Sequence, residues 1–175
     1  MFEIREDDLT GDQTRRLLAM HLAGMQGSSP PGSVFALDLS GLLVREVTVW
    51  AAWQGDRLAG IGALKMLPDG NGEVKSMRTD PDFIRKGVAH AILETIITTA
   101  IARGARRLSL ETGSGPAFEP ALALYRRRGF ADGAAFSDYE RSGFNQFLHL
   151  ALKPGGLVMT GKPPGGEDRH EKQTE

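Results

Sequence analysis

The chain has 175 residues, enough for one domain whose core needs neither disulfides nor metals to hold it. It carries a formal charge of −1 and no cysteine, which excludes disulfides, thiolate nucleophiles and thiolate zinc sites and gives no general attraction to nucleic acid or membrane surfaces. With 41% hydrophobic and 25% charged residues and no apolar run near the roughly 20 residues that span a bilayer, it reads as a globular protein; lacking a cationic-then-apolar leader, it is expected to be cytoplasmic.

Phe2 to Arg5 alternates like a short strand, and Thr10 precedes a run with Leu17, Leu18, Met20 and Leu22 at helical spacing. Gly27 to Ser33, with Pro30 and Pro31, predicts a loop. Val47 to Trp53 and Leu58 to Leu67 are strand-like, and Gln54-Gly55-Asp56-Arg57 between them is hairpin chemistry. A second turn at Asp69-Gly70-Asn71-Gly72 leads into a strand from Glu73 to Thr79. Lys86 to Arg103 has apolar residues at helical spacing and Gly104 as its stop. Arg106 to Thr112 reads as a strand and Pro116 to Arg128 as a helix closed by Gly129. That strand–helix–strand order predicts a parallel pair with a right-handed crossover. Phe136 to Leu152 supplies further strand, clearest over Phe147 to Leu152. Residues 1–153 are therefore expected to form one domain, and residues 154–175, rich in Pro, Gly, Lys and Glu, a disordered tail.

The joint from Asp80 to His90 carries the first chemical signal. The first turn of a helix presents N–H groups without internal partners, and its aligned peptide dipoles attract anions. Gly87 lets the backbone approach an oxyanion, Ala89 keeps the next turn open, and Arg85 and Lys86 add charge. The same residues would also serve as a plain strand-to-helix turn with solvated cations.

The run from Glu73 to Leu93 resembles the phosphate-binding motif of the GNAT superfamily of acyl-CoA N-acyltransferases, which reads Arg or Gln, two residues, Gly, one residue, Gly or Ala. Gly87 and Ala89 match the last two places, whereas Ile84 stands at the first, with Arg85 one place on. The element order from Phe2 to Leu152 follows that superfamily. Ser29-Pro30-Pro31-Gly32-Ser33, Lys75-Ser76-Met77-Arg78-Thr79, Leu108 to Gly113, and Leu124-Tyr125 with Gly129-Phe130 resemble an uncharacterised bacterial subgroup. The resemblance implies an α/β (α+β) fold: a mixed, mostly antiparallel sheet with one splayed parallel strand pair and flanking helices. It also implies transfer of an acetyl group from acetyl-CoA to a primary amine by direct attack.

Such a transfer needs the amine deprotonated, the carbonyl oxygen steadied and the leaving thiolate protonated. Glu73, 14 residues before Gly87, resembles the glutamate base of several members, and Glu111, near the end of the following strand, is its rival. Tyr125 resembles the tyrosine that protonates the thiolate in many members; a phenol with pKa near 10 keeps its proton at neutral pH. Met77, Arg78 and Thr79 are the implied backbone contacts of the pantetheine arm, with Arg85, Lys86, Gly87, Val88, Ala89 and His90 around the pyrophosphate. The acceptor's walls are expected in Ser28 to Val34, Phe136 to Tyr139 and Asn145, with Trp50 and Trp53 as further aromatics.

His21, His90, His149 and His170 lack ligand-like spacing, so no metal is assigned. Arg126 to Arg128 fit a solvated helix end better than a ligand site. A non-catalytic acyl-CoA sensor is the alternative reading. A dinucleotide-binding domain would need Gly-x-Gly-x-x-Gly or Gly-Lys-Ser/Thr, and neither is present. The partners expected are acetyl-CoA and an amine; the oligomeric state stays open, a homodimer being one that superfamily members often form.

Overall fold

The computed structural model describes residues 1–154; the expected tail from 155 onward lies outside the described residues. Seven strands form one sheet in the order β1-β2-β3-β4-β5-β7-β6. They are β1 (Glu3–Glu6), β2 (Val47–Gln54), β3 (Arg57–Met66), β4 (Gly72–Thr79), β5 (Arg107–Thr112), β6 (Ala131–Asp132) and β7 (Gln146–Ala151). The helices are α1 (Asp12–Ser28), α2 (Leu39–Leu42), α3 (Val88–Ala102) and α4 (Glu119–Arg128). Every neighbouring pair is antiparallel except β4 and β5, which run parallel. This is the mixed α/β architecture that the element order implies.

The β2–β3 hairpin closes through Gly55 and Asp56, between the paired residues Gln54 and Arg57, with Gly55 at φ 62°. Gln13 of α1 pins that turn from outside: its amide donates to the Asp56 carbonyl and its carbonyl accepts from the Leu58 N–H, both at 2.9 Å. One face of the sheet packs on α1 and α2 through Leu17, Leu18, Leu42, Val49 and Ile61. The other packs on α3 and α4 through Val74, Ile92, Ile96, Leu108 and Leu122. Ile92 and Ile96 are wholly buried, each contributing about 1.5–3 kcal/mol of apolar burial.

α3 lies so close to β3 that only glycine fits beneath it. A Cβ on Gly60 would come within 2.6 Å of Val88 Cγ1, and one on Gly62 within 2.5 Å of Ile92 Cγ2. That close seat sets where the N-terminus of α3 ends up.

Several sequence expectations shift by a few residues. α1 continues through Gly27 to Ser28 before Pro30 ends it, and α3 begins at Val88, leaving Lys86 in the preceding turn. Of Phe136 to Leu152, expected as strand-like, residues 136–145 are loop and only Gln146–Ala151 pairs. The short β6 and α2 had no signal, because a strand of two residues and a helix of four carry no periodicity to detect.

Candidate functional site

β4 and β5 hold together only at their start. Gly72 pairs with Leu108 and Glu73 with Ser109, and beyond these the ladder stops. On its other edge β4 carries a bulge: Ile61 faces Arg78 and Ala63 faces Lys75, so Ser76 and Met77 together oppose Gly62. Ser76 adopts φ 55°, rare for a residue with a side chain. The extra residue turns the second half of β4 away from β5, and a cleft of about 160 Å³ opens between them.

The cleft brings together side chains that are distant in sequence. Glu111 enters from β5, Tyr125 from α4, Lys75, Met77 and Arg78 from β4, and His21 from α1. Burial raises the Glu111 carboxyl from an ordinary 4.5 to about 7, with Lys75 opposing the shift and Glu73 adding to it. Tyr125 is buried against Phe130, its ring 5.6 Å away, and that burial raises its hydroxyl above the usual phenol value. Its backbone carbonyl accepts from the Phe130 N–H at 3.0 Å, where Gly129 closes α4.

Glu73 does not line the cleft. It is 2% exposed and lies behind it, accepting a hydrogen bond of 2.5 Å from the Tyr139 hydroxyl and pairing with Lys75 Nζ at 3.3 Å. Lys75 Nζ also donates to the Tyr139 oxygen at 2.8 Å and to the Phe35 carbonyl at 3.0 Å. Burial foremost, then the charge of Glu73, raises the Tyr139 phenol, so it stays a donor to that carboxylate. Through Phe35, whose ring meets Tyr139 at 5.3 Å, this knot holds the loop after α1 against the sheet.

The start of α3 forms the other half of the site. Residues 84–87 make an exposed turn, Gly87 caps the helix at φ 84°, and the helical bonds begin with Ala91 donating to the Gly87 carbonyl. The N–H groups of Val88, Ala89 and His90 are thus those of a first helical turn, without partners within the helix. Arg85, at φ 62°, and His90 are exposed, as is Ile84. Lys86 Nζ rests 5.3 Å above the Phe83 ring, on which the Arg57 guanidinium also lies, at 4.8 Å. Thr79 ends β4 just ahead of this turn.

Other candidates fall elsewhere. Trp50 is buried in the core, Trp53 packs on the α1 side beneath Arg5, and neither lines the cleft. Asn145 shapes its own loop, accepting from the Ser142 N–H and donating to the Glu140 carbonyl. Arg126 pairs with Asp132, and Arg128 with Glu94 of α3, so both fasten α4. Sequence reasoning gave no role to Lys75 or His21. Lys75 stands two residues after Glu73 and so on the same strand face, a signal of period two that was there to be read. His21 offered none, since a histidine on a helix says nothing of what faces it. Among the described residues, no group of three or more His, Asp or Glu side chains could hold a metal ion, and no helix is long and apolar enough to cross a membrane.

A sheet split at one parallel pair, with a helix N-terminus beside the split, defines the fold of the acyl-CoA N-acyltransferases. The chain belongs to the acetyltransferase (GNAT) family, whose model matches residues 16–130. It is 48% identical over 152 residues to the uncharacterized N-acetyltransferase YedL of Escherichia coli (strain K12), covering 87% of this chain and 96% of that one. It is 52% identical over 149 residues to the uncharacterized N-acetyltransferase YsnE of Bacillus subtilis (strain 168), covering 85% and 99%. Among solved structures, a Klebsiella pneumoniae protein described as an acyl-CoA N-acyltransferase superposes with a TM-score of 0.74 at 27% identity, over 87% of this chain and 99% of that one. The protein is an acetyltransferase, and acetyl-CoA is its acyl donor.

Proposed function

We propose that the protein transfers the acetyl group of acetyl-CoA to a primary amine by direct attack, with Glu111 as base and Tyr125 as acid. The observation that carries this reading is that both side chains enter the same cleft at the point where β4 and β5 part. A base works best when its pKa lies near the working pH, and Glu111 at about 7 meets that condition. Glu73 is already held by Tyr139 and Lys75 and supports Glu111 from behind, its charge helping to raise the carboxyl.

The steps balance as follows. Glu111 takes a proton from the amine while its nitrogen bonds to the thioester carbonyl carbon. A backbone N–H in the bulged part of β4 steadies the carbonyl oxygen. Tyr125 gives its proton to the sulfur as the carbon–sulfur bond breaks, and solvent restores both side chains. Burial raises the phenol, so it holds its proton until the thiolate departs. Met77, Arg78 and Thr79 lie along the free edge of β4, where a pantetheine arm can pair as an added strand does. Gly87, Val88, Ala89 and His90, with Arg85 and Lys86 beside them, suit the pyrophosphate.

The test is release of free CoA from acetyl-CoA in the presence of a panel of primary amines, comparing the wild type with Tyr125→Phe. An amine-dependent rate that falls about 100-fold in the variant, with acetyl-CoA affinity retained, supports the reading. An unchanged rate in Tyr125→Phe removes that residue from the chemistry. Binding of acetyl-CoA without turnover of any amine removes amine transfer altogether.

A further inference from the structure

Arg78 is placed to do more than lend its backbone. Its side chain crosses to the α1 side of the sheet, where Gly24 makes room for it: a Cβ there would lie 3.1 Å from one guanidinium nitrogen. None of the ion pairs among the described residues includes Arg78, although Asp and Glu partners hold Arg5, Arg57, Arg126 and Arg128. A guanidinium lining a cleft without a carboxylate of its own is an available fork of donors.

A second observation lies beside it. His21 is 7% exposed and lines the same cleft, and its Nδ1 is buried with no hydrogen-bond partner among the described residues. The Ser76 hydroxyl, in the bulge next to Arg78, is likewise buried and unpartnered. Burial, Arg78 and Lys75 keep His21 neutral, with a pKa of about 4. Buried polar atoms left unpaired are costly and rare, and here both belong to residues that line the same cleft as Arg78. Phe35 and Ala36 wall the cleft on this side, and Lys75 and Tyr139 hold Phe35 in place.

We propose that Arg78 binds the carboxylate of the acceptor, with His21 and Ser76 completing its hydrogen bonds, and that the acceptor is a small amino acid rather than a protein side chain. The inference rests on the amine-acetylation reading and adds the substrate class. The amine is directed to Glu111 while the carboxylate is taken by the bidentate fork of Arg78. The held Phe35 loop walls this side of the cleft against a folded protein surface.

The experiment measures kcat/KM by CoA release for matched sets: free amino acids, the same amino acids as carboxamides, the corresponding decarboxylated amines, and a lysine-containing peptide. The expected result is a preference of about 100-fold for the free amino acid over its carboxamide in the wild type. In Arg78→Met that ratio falls to near one, mainly through KM for the amino acid, and Arg78→Lys restores part of it. Calorimetry with acetyl-CoA accompanies each variant. Equal use of acid and carboxamide by the wild type overturns the assignment, as does a ratio that survives in Arg78→Met. Turnover of uncharged amines or of the peptide, but of no amino acid, also overturns it while leaving amine acetylation standing. Silence across the whole panel with acetyl-CoA bound overturns both readings.

Discussion

The proposed donor half and acceptor half of the cleft share strand β4 but are made of different material. The donor half is backbone: a strand edge freed by the bulge at Ser76, and the first turn of α3 opened by Gly87. Any chain that folds this way with glycine at that place presents much the same surface. The acceptor half is side chains whose states depend on one another. Lys75 opposes the rise in the Glu111 carboxyl, Glu73 adds to it, and Arg78 and Lys75 both hold down His21. The first half belongs to the fold and the second to this chain, so kinship carries the donor across relatives and leaves the acceptor to be argued residue by residue.

The sharpest break between the halves is expected at Glu111. Glu111→Gln keeps the shape and removes the proposed base, so kcat should fall about 1000-fold while acetyl-CoA affinity is retained. In the wild type kcat should rise with pH through about 7 as the carboxyl ionises, and that limb should vanish from the residual rate of the variant. The same shift makes a stability prediction. The carboxyl's folded value lies above its ordinary 4.5, so the stability it contributes by holding its proton is complete below pH 4.5 and lost as pH rises through 7. Glu111→Gln should therefore gain on the wild type in denaturant melts between pH 4.5 and 8. No gain across that window would place the carboxyl in an ordinary environment.

The complementary break is Gly87→Glu. The position takes φ 84°, and a Cβ there meets open space, so the substitution strains the turn and sets a negative charge at the helix N-terminus without crowding the core. Acetyl-CoA affinity should fall about 100-fold by calorimetry, with the fold intact by circular dichroism. Loss of less than threefold would mean that the phosphates are held elsewhere.

The same division explains what could be read from the amino-acid order. The donor half was legible because its parts are local: Gly87 and Ala89 lie two residues apart, and the periodicity of α3 runs unbroken from Val88 to Ile101. The parallel pair followed from the strand–helix–strand order, and its splay from the family resemblance alone. Glu111 and Tyr125 were named as rival and acid, but nothing in their spacing gave their shared cleft. Between Glu73 and Glu111 the sequence leaves the base open, because the partner that Glu73 meets, Tyr139, lies 66 residues on, in a loop without periodicity. The contribution of Arg78 depends on the absence of a small side chain at Gly24, a relation between α1 and β4 that no local pattern encodes.

Tyr139→Phe tests the knot behind the acceptor half. Removing the hydroxyl takes a hydrogen bond from the buried Glu73 carboxylate and from Lys75, which should cost about 1–3 kcal/mol of stability by denaturant titration. Acetyl-CoA affinity should stay within twofold, because the donor half shares no contact with that hydroxyl. A drop in affinity as large as the drop in stability would show that the two halves are coupled through β4.

The smallest effect is expected where this chain departs from the family pattern. Ile84 occupies the place of the usual Arg or Gln and is 55% exposed at the end of the 3₁₀ turn Pro81–Phe83. If the phosphate contacts are chiefly the amides of the α3 N-terminus, the missing side chain costs little, and Arg85 and Lys86 already supply charge nearby. Ile84→Arg should then raise acetyl-CoA affinity about two- to threefold at low salt, the scale of an exposed ion pair, and less at high salt as screening shortens its reach. A gain of tenfold or more would move the balance of the donor half from backbone to side chain, and the division between the halves would rest on the acceptor's residues alone.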